Sequence, residues 1–214
     1  MIIRIIGDED IALKVSTFFA KQFNEENLLF IDCLCGKRRI PIFYDVQDEV
    51  IYDIYDYLNG DVDLYKAMVE VDDRLDIIAS SYYEDKKSFD DEDIERLLKD
   101  SKEDYDILLF YGDNEISSWN LGDECKNIIV DEKIDPIGEK FFIVSDKEKL
   151  FRKVSESELK ELNERYKIIA AFDSAMQIDE KSLAKAYQNF KQGDTIELKK
   201  GFLDKIKEVF HKND

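Results

Sequence analysis

Strand-length runs of apolar residues recur along this chain and constrain its fold more than any other feature. Consecutive apolar positions, rather than alternating ones, are typical of strands buried on both faces of a parallel sheet. The runs lie at 2–6, 28–31, 75–79, 105–111, 126–130, 140–144 and 167–172. Helical patterns separate them at 11–23, 51–58, 64–69, 91–102 and 155–166. This alternation predicts an α/β fold, with a mostly parallel sheet flanked by helices.

Composition limits the classes of function. The chain has 214 residues and no glycine-, serine- or proline-rich linker, which predicts one α/β domain over 1–198 and a short tail over 199–214. The formal net charge of −19 argues against nucleic acid as the main partner, because nonspecific binding to DNA or RNA needs a basic surface. The odd number of three cysteines, with no signal peptide or long apolar run, predicts a reduced, cytoplasmic chain.

The first apolar run ends in a loop that is unusual for its position. Ile2–Ile6 is followed by Gly7, by the three acids Asp8, Glu9 and Asp10, and then by a helical pattern. Strand, glycine and helix are the setting of a phosphate-binding loop, which needs several glycines and a lysine around the phosphates. Acids at a helix N-terminus suit the helix dipole but repel an anion. The loop predicts a site that has lost anion binding or, alternatively, a plain capped helix start in another α/β family.

The order of elements resembles the MinD/ParA group of deviant P-loop ATPases, which position division, chromosome or pilus machinery. The apolar run that ends at Asp32 resembles the family's strand ending in an aspartate, and 105–110 lies where the family carries its Walker B strand. Three further segments resemble the family's helices and strand, at 48–60, 64–68 and 75–80. The resemblance implies a P-loop NTPase-like three-layer sandwich.

The chain departs from this family at the residues that would do chemistry. Asp8–Asp10 stand where the family has lysines among glycines, and Lys14 lies near the expected position of the second lysine. Tyr111 stands in place of the aspartate that handles Mg²⁺ and water, and Ser145 in place of an asparagine that reads adenine. The resemblance therefore implies a degenerate nucleotide site with no catalytic residue, cofactor or metal, because phosphoryl transfer depends on positioning and charge stabilisation. Its predicted positions are Gly7, Asp8, Glu9, Asp10, Lys14, Asp32, Tyr111 and Ser145.

The C-terminal tail is a second candidate binding site. Five lysines between 199 and 212 stand against Asp204 and Glu208, a local net charge of +3. Apolar residues at helical spacing give the tail one hydrophobic stripe. A basic amphipathic helix of this kind binds an anionic membrane or a partner, and it resembles the membrane-targeting helix of MinD proteins; docking on its own domain is the alternative. The predicted binding residues are Lys199, Lys200, Phe202, Leu203, Lys205, Ile206, Lys207, Val209 and Phe210.

The first hypothesis from these features is a non-catalytic MinD/ParA-like spatial or assembly factor, a pseudo-ATPase that acts in the cytoplasm or on the inner face of the membrane. It would bind protein partners through its acidic body, with a homodimer possible and Tyr52 and Tyr55 as part of a partner surface. Cell division and pilus assembly of the TadZ/CpaE type are settings suggested by analogy. Two alternatives stay open: an atypical protein that binds ATP and Mg²⁺ and dimerises around the nucleotide, and an unrelated structural interaction domain.

Overall fold

Five strands organise the first part of the chain. They are β1 (Ile2–Gly7), β2 (Leu28–Asp32), β3 (Met68–Asp72), β4 (Leu75–Ile78) and β5 (Ile107–Gly112), and they lie in the order β3-β4-β2-β5-β1. Neighbouring strands from β4 to β1 are parallel, whereas β3 is antiparallel to β4. The predicted mostly parallel sheet is therefore confirmed.

The computed structural model describes residues 1–83, 89–131, 140–144, 167–172 and 178–194. By its contacts the chain divides between Ile128 and Ile129 into two compact units. Strand β6 (Lys126–Asp131) crosses this division. The second unit contains β7 (Lys140–Val144), which pairs in parallel with β8 (Lys167–Phe172).

The helices of the first unit follow from its apolar spacing and its caps. They are α1 (Glu9–Gln22), α2 (Arg39–Phe43), α3 (Ile54–Leu58), α4 (Leu64–Ala67) and α5 (Asp91–Ser101). Helix α1 packs on β1 and β5 and buries Ile11, Val15 and Phe19 on one face. Strands β2 and β5 are buried along their whole length, as their unbroken apolar runs predict.

Aspartates start most of these helices. Asp8 caps α1, and Asp53 and Asp90 form capping boxes at the starts of α3 and α5. In the second unit, Asp179 caps helix α6 (Glu180–Gln192), and Gly193 ends that helix with a φ of 72°. The predicted start of the fourth helical pattern at Asp91 is thus confirmed.

Three predicted elements need correction. The pattern at 51–58 becomes helical only at Ile54, because Asp53 caps it. The pattern at 64–69 ends at Ala67, and Met68 begins β3, whose alternation of apolar and acidic residues suits an edge strand. The loop predicted at 113–123 contains a short 3₁₀ turn over Asn114–Ser118. Helices α2 and α6 were not predicted, and the predicted helix at 155–166 lies outside the described residues.

The 3₁₀ turn is fixed by a buried arginine on β1. Arg4 donates to the backbone oxygens of Ile116 and Trp119, at 2.8 and 3.1 Å, and to Asn127 Oδ1 at 2.6 Å. Burial lowers the pKa of Arg4. These bonds hold the segment that follows β5 against strand β1.

None of the helices in the described part of the chain is long and apolar enough to cross a lipid bilayer.

Candidate functional site

The register of the sheet brings the predicted site residues to one edge. Strand β1 pairs with β5 so that Ile6 lies opposite Gly112, and β2 pairs with β5 so that Asp32 lies opposite Tyr111. Gly7, Asp32 and Tyr111 therefore meet at the carboxyl ends of three adjacent parallel strands. In open parallel sheets this edge is where ligands bind.

The turn after β1 is short and is closed by its own side chain. Gly7 has a φ of 134°, which favours glycine, and Asp8 follows as the cap of α1. One Asp8 carboxyl oxygen accepts from the backbone N–H of Ile11 at 3.1 Å. That N–H belongs to the first turn of α1, whose donors would otherwise face an anion at the helix N-terminus.

Two cations from the segment after β2 neutralise the acids at the start of α1. Glu9 accepts from Lys37 and, at 3.2 Å, from Arg39, and Asp10 also accepts from Arg39. The hydrogen bond to Asp10 raises the pKa of Arg39. We call Glu9, Asp10, Lys37 and Arg39 the ion-pair cluster. It places carboxylates, already paired within the chain, at the helix start where a phosphate would be bound.

Tyr111 joins the same turn through its hydroxyl. The phenol donates to the backbone oxygen of Glu9 at 3.0 Å, and the ring is buried. Burial, with Asp32 nearby, raises the pKa of Tyr111, so its hydroxyl stays neutral. Asp113, two residues further on, caps the 3₁₀ turn by accepting from Glu115 N at 2.8 Å. At the end of β5 a neutral phenol is therefore followed by a carboxylate that is engaged in a cap.

Asp32 is buried and holds the backbone of the segment that follows it. One carboxyl oxygen accepts from Leu34 N at 3.0 Å and the other from Ile40 N at 3.1 Å. Burial raises the pKa of Asp32 to about 6, although these two N–H groups act in the opposite direction. The carboxylate therefore shapes the turn that delivers Lys37 and Arg39 to the helix start.

A buried ion pair anchors this segment on its other side. Arg38, with a φ of 42°, lies between Asp53 and Tyr82, at 3.4 Å from Asp53 Oδ2 and 3.9 Å from the Tyr82 ring centre. Its Nε donates to the backbone oxygen of Ser80 at 2.8 Å. The loop after β2 is thereby joined to the N-terminus of α3 and to the loop after β4.

These three cations are not among the site residues predicted from the sequence. Lys37, Arg38 and Arg39 form a run of positive charge just after β2, on a chain of net charge −19, and that run was the available signal. Lys14, the lysine that was predicted, lies in the second turn of α1 with an exposed side chain. Ser145 lies outside the described residues, as do the tail residues from Lys199 to Phe210.

The chemistry available at this edge is limited. Among the described residues, no group of three or more histidine, cysteine or acidic side chains is placed to hold a metal ion.

A cavity of about 630 Å³ opens at the opposite edge of the sheet, where β2 and β4 begin at Leu28 and Leu75, and Tyr44 also lines it. The cavity is therefore separate from the candidate site.

Comparison with known proteins identifies the fold. No protein-family model and no curated protein sequence matches the chain. A chain of the MinC:MinD cell division protein complex of Aquifex aeolicus is similar in structure, with a TM-score of 0.62, 17% identity, and coverage of 92% of this chain and 98% of that one.

Two further structures are similar at low identity. A plasmid partition protein of Borrelia burgdorferi gives a TM-score of 0.61 at 15% identity and covers 90% of this chain and 98% of its own. The cell division ATPase MinD of Pyrococcus furiosus gives 0.57 at 11% identity, with 89% and 98% covered. The chain therefore has the P-loop NTPase-like α/β fold of MinD and ParA-type ATPases.

Proposed function

We propose that this protein is a non-catalytic spatial or assembly factor with a MinD/ParA-type fold, acting through contacts with other proteins. The ion-pair cluster at the start of α1 carries the proposal, because it puts paired carboxylates where a P-loop presents backbone N–H groups to phosphate. Tyr111 supports it by bonding the same turn. Loss of the loop and of the metal carboxylate together removes the positioning and charge stabilisation that phosphoryl transfer needs.

Titration with ATP and Mg²⁺ tests this proposal. We expect calorimetry at millimolar nucleotide to show only heats of dilution, because the paired carboxylates of Glu9 and Asp10 occupy the helix start and the turn has one glycine. A phosphate-release assay under the same conditions should show no hydrolysis above the buffer blank. Circular dichroism of the same sample confirms that the protein is folded.

The double variant Lys37→Ala/Arg39→Ala is the matched control for the titration. Saturable ATP binding by the wild type would overturn the proposal. If that binding disappears in this variant, the result favours an atypical nucleotide-binding protein in which Lys37 and Arg39 leave the acids and bind the phosphates.

We also propose that the tail over 199–214 binds an anionic membrane surface. Its sequence supports this through the net charge of +3 over 199–212 and one apolar stripe containing Phe202, Ile206 and Phe210. Each basic residue near such a surface contributes about 1 kcal/mol, so a segment this short binds reversibly. Assembly of a pilus or secretion machine of the TadZ/CpaE type is one setting for such a protein, proposed by analogy alone.

Co-sedimentation with vesicles tests the tail. We expect the full chain to pellet with vesicles containing anionic lipid, and a chain that ends at 198 to stay in the supernatant. Vesicles of neutral lipid are the control and should pellet neither protein, because the attraction depends on lipid charge. Equal pelleting of the two proteins with anionic vesicles would contradict the membrane proposal.

A further inference from the structure

One stretch of the chain is acidic without any positive residue. Residues 40–65 contain no lysine or arginine, and they include five of the eight large hydrophobic side chains that are exposed in the described part of the chain. Those five are Ile42, Phe43, Ile51, Tyr52 and Tyr65. The acids are Asp45, Asp48, Glu49, Asp53, Asp56, Asp61 and Asp63. Exposed apolar side chains among charges of one sign are typical of a binding surface rather than of a plain solvated face.

Two loops bring part of this stretch together with other exposed aromatic residues. The backbone N–H of Ile54 donates to Ala79 at 3.0 Å, which places the residues before α3 beside the loop after β4. Ile51 is 79% exposed on the first loop, and Tyr83 is 72% exposed on the second. We call the combined surface the acidic aromatic face; it consists of Asp48, Glu49, Ile51, Tyr52, Tyr82 and Tyr83.

The molecule itself shows what this kind of surface binds. Arg38 lies over the ring of Tyr82 at 3.9 Å and reaches Asp53 at 3.4 Å, so one guanidinium is held between an aromatic ring and a carboxylate. Arg96 lies over the ring of Tyr57 in a similar way, at 4.9 Å. Arginine suits such sites because its flat group stacks on a ring while its N–H groups donate to carboxylates.

We propose that the acidic aromatic face docks an arginine-bearing segment of a partner protein that also carries apolar side chains. Charge complementarity selects the basic segment, and Ile51 and Tyr83 supply the apolar contacts that anchor an interface. This inference rests on the proposed function, because it takes the protein to act through contacts with other proteins. Tyr52 is exposed and belongs to this face, so its place on a partner surface stays a prediction. The prediction for Tyr55 is wrong, because Tyr55 is buried and its hydroxyl meets Cys35 Sγ at 3.1 Å.

The experiment uses a labelled peptide of twelve residues in which arginine alternates with leucine. We expect fluorescence anisotropy to show saturable binding to the full-length protein, and binding at least tenfold weaker to the variant Ile51→Ser/Tyr83→Ser. Both side chains are exposed, so the variant should fold normally. A peptide with serine in place of leucine keeps the charge and should also bind at least tenfold more weakly.

Three results decide against the proposal. The control variant Tyr65→Ser changes an exposed tyrosine outside the face and should leave the affinity within twofold; an equal loss there would show that the face is not specific. Equal binding by the wild type and Ile51→Ser/Tyr83→Ser would show that the peptide is attracted only by the overall negative charge of the protein. A tenfold gain in affinity on deletion of 199–214 would show that the chain's own basic tail occupies the face. The ATP titration is independent of all three, so failure of the docking proposal is distinguishable from failure of the pseudo-ATPase proposal.

Discussion

Replacing Arg38 with methionine is expected to lower the free energy of unfolding by about 3 kcal/mol, because it removes the guanidinium that is paired with the buried Asp53 carboxylate. The substitution also removes the hydrogen bond to the Ser80 oxygen and the stacking on Tyr82. Chemical denaturation monitored by circular dichroism measures the change. Because Arg38 connects the loop after β2 to α3 and to the loop after β4, the loss should also weaken the order of the candidate site.

Its neighbour Lys37 provides the matched control. Lys37→Met removes one charge from the next position, but Lys37 and Glu9 are both partly exposed, and an exposed ion pair contributes about 0.2–1 kcal/mol. We therefore expect Lys37→Met to be far less destabilising than Arg38→Met. Equal effects of the two substitutions would show that the burial of Arg38 has no energetic consequence.

A double-mutant cycle separates the energetic contribution of the Arg38–Asp53 ion pair from that of the Asp53 cap on α3. Asparagine at position 53 retains the ability to cap α3, since Asn and Asp are equally good N-cap residues, and it carries no charge to bury. Arg38→Met/Asp53→Asn should therefore be more stable than the sum of the single changes predicts, by roughly 1–3 kcal/mol. Strict additivity would contradict the interpretation that charge burial is the dominant cost of Arg38→Met.

Much of the fold could be predicted because its signals are local. The runs that became β2 and β5 are apolar at nearly every position and only five or six residues long, which fits a strand buried on both faces. The helix start at Asp91 was also local, since the capping box spans four residues. Helix α6 was missed although Leu183, Ala186, Tyr187 and Phe190 follow helical spacing, so that signal was available.

The ion-pair cluster could not be predicted in the same way. Its partners lie about thirty residues apart, and they meet only because β2 and β1 flank β5 and end at the same edge of the sheet. The sequence predicts that the acids after Gly7 repel phosphate. It does not predict that Lys37 and Arg39 pair with those acids, because that pairing depends on the path of the loop after Asp32. Strand β3 illustrates the same limit, because Met68 and Val69 fit the end of a helix until pairing with β4 decides between helix and strand.

The same loop makes stability depend on pH through Asp32. Burial raises the pKa of this carboxyl from 3.8 to about 6, so the folded chain binds a proton more tightly than the unfolded chain does. The contribution of Asp32 to stability is therefore fully present below about pH 4 and is lost as pH rises through 6. The total change is about 3 kcal/mol, of which nearly half falls between about pH 5 and 7.5.

Asp32→Asn should remove this dependence. The amide does not ionise, so the cost of burying a charge at this position disappears. Its one carbonyl oxygen can accept from either Leu34 N or Ile40 N, and the hydrogen bond that is lost costs the same at every pH. The difference in unfolding free energy, variant minus wild type, should move in favour of the variant by roughly 1 kcal/mol between about pH 5 and 7.5. Asp48→Asn removes the same charge from an exposed turn and should change stability by no more than about 0.5 kcal/mol.

The pH profile also distinguishes two roles for Asp32. If the carboxylate is retained only to hold the backbone of the loop after β2, Asp32→Asn should remain folded and should bind the arginine–leucine peptide with unchanged affinity, because the acidic aromatic face does not contain Asp32. A flat difference between about pH 5 and 7.5 would mean that the carboxyl of the folded chain is already ionised at pH 5, with its charge stabilised by the N–H groups of Leu34 and Ile40 or by a cation beside it. The ATP titration should then be repeated with Asp32→Asn as its control, to test whether the ionised carboxylate takes part in ligand binding.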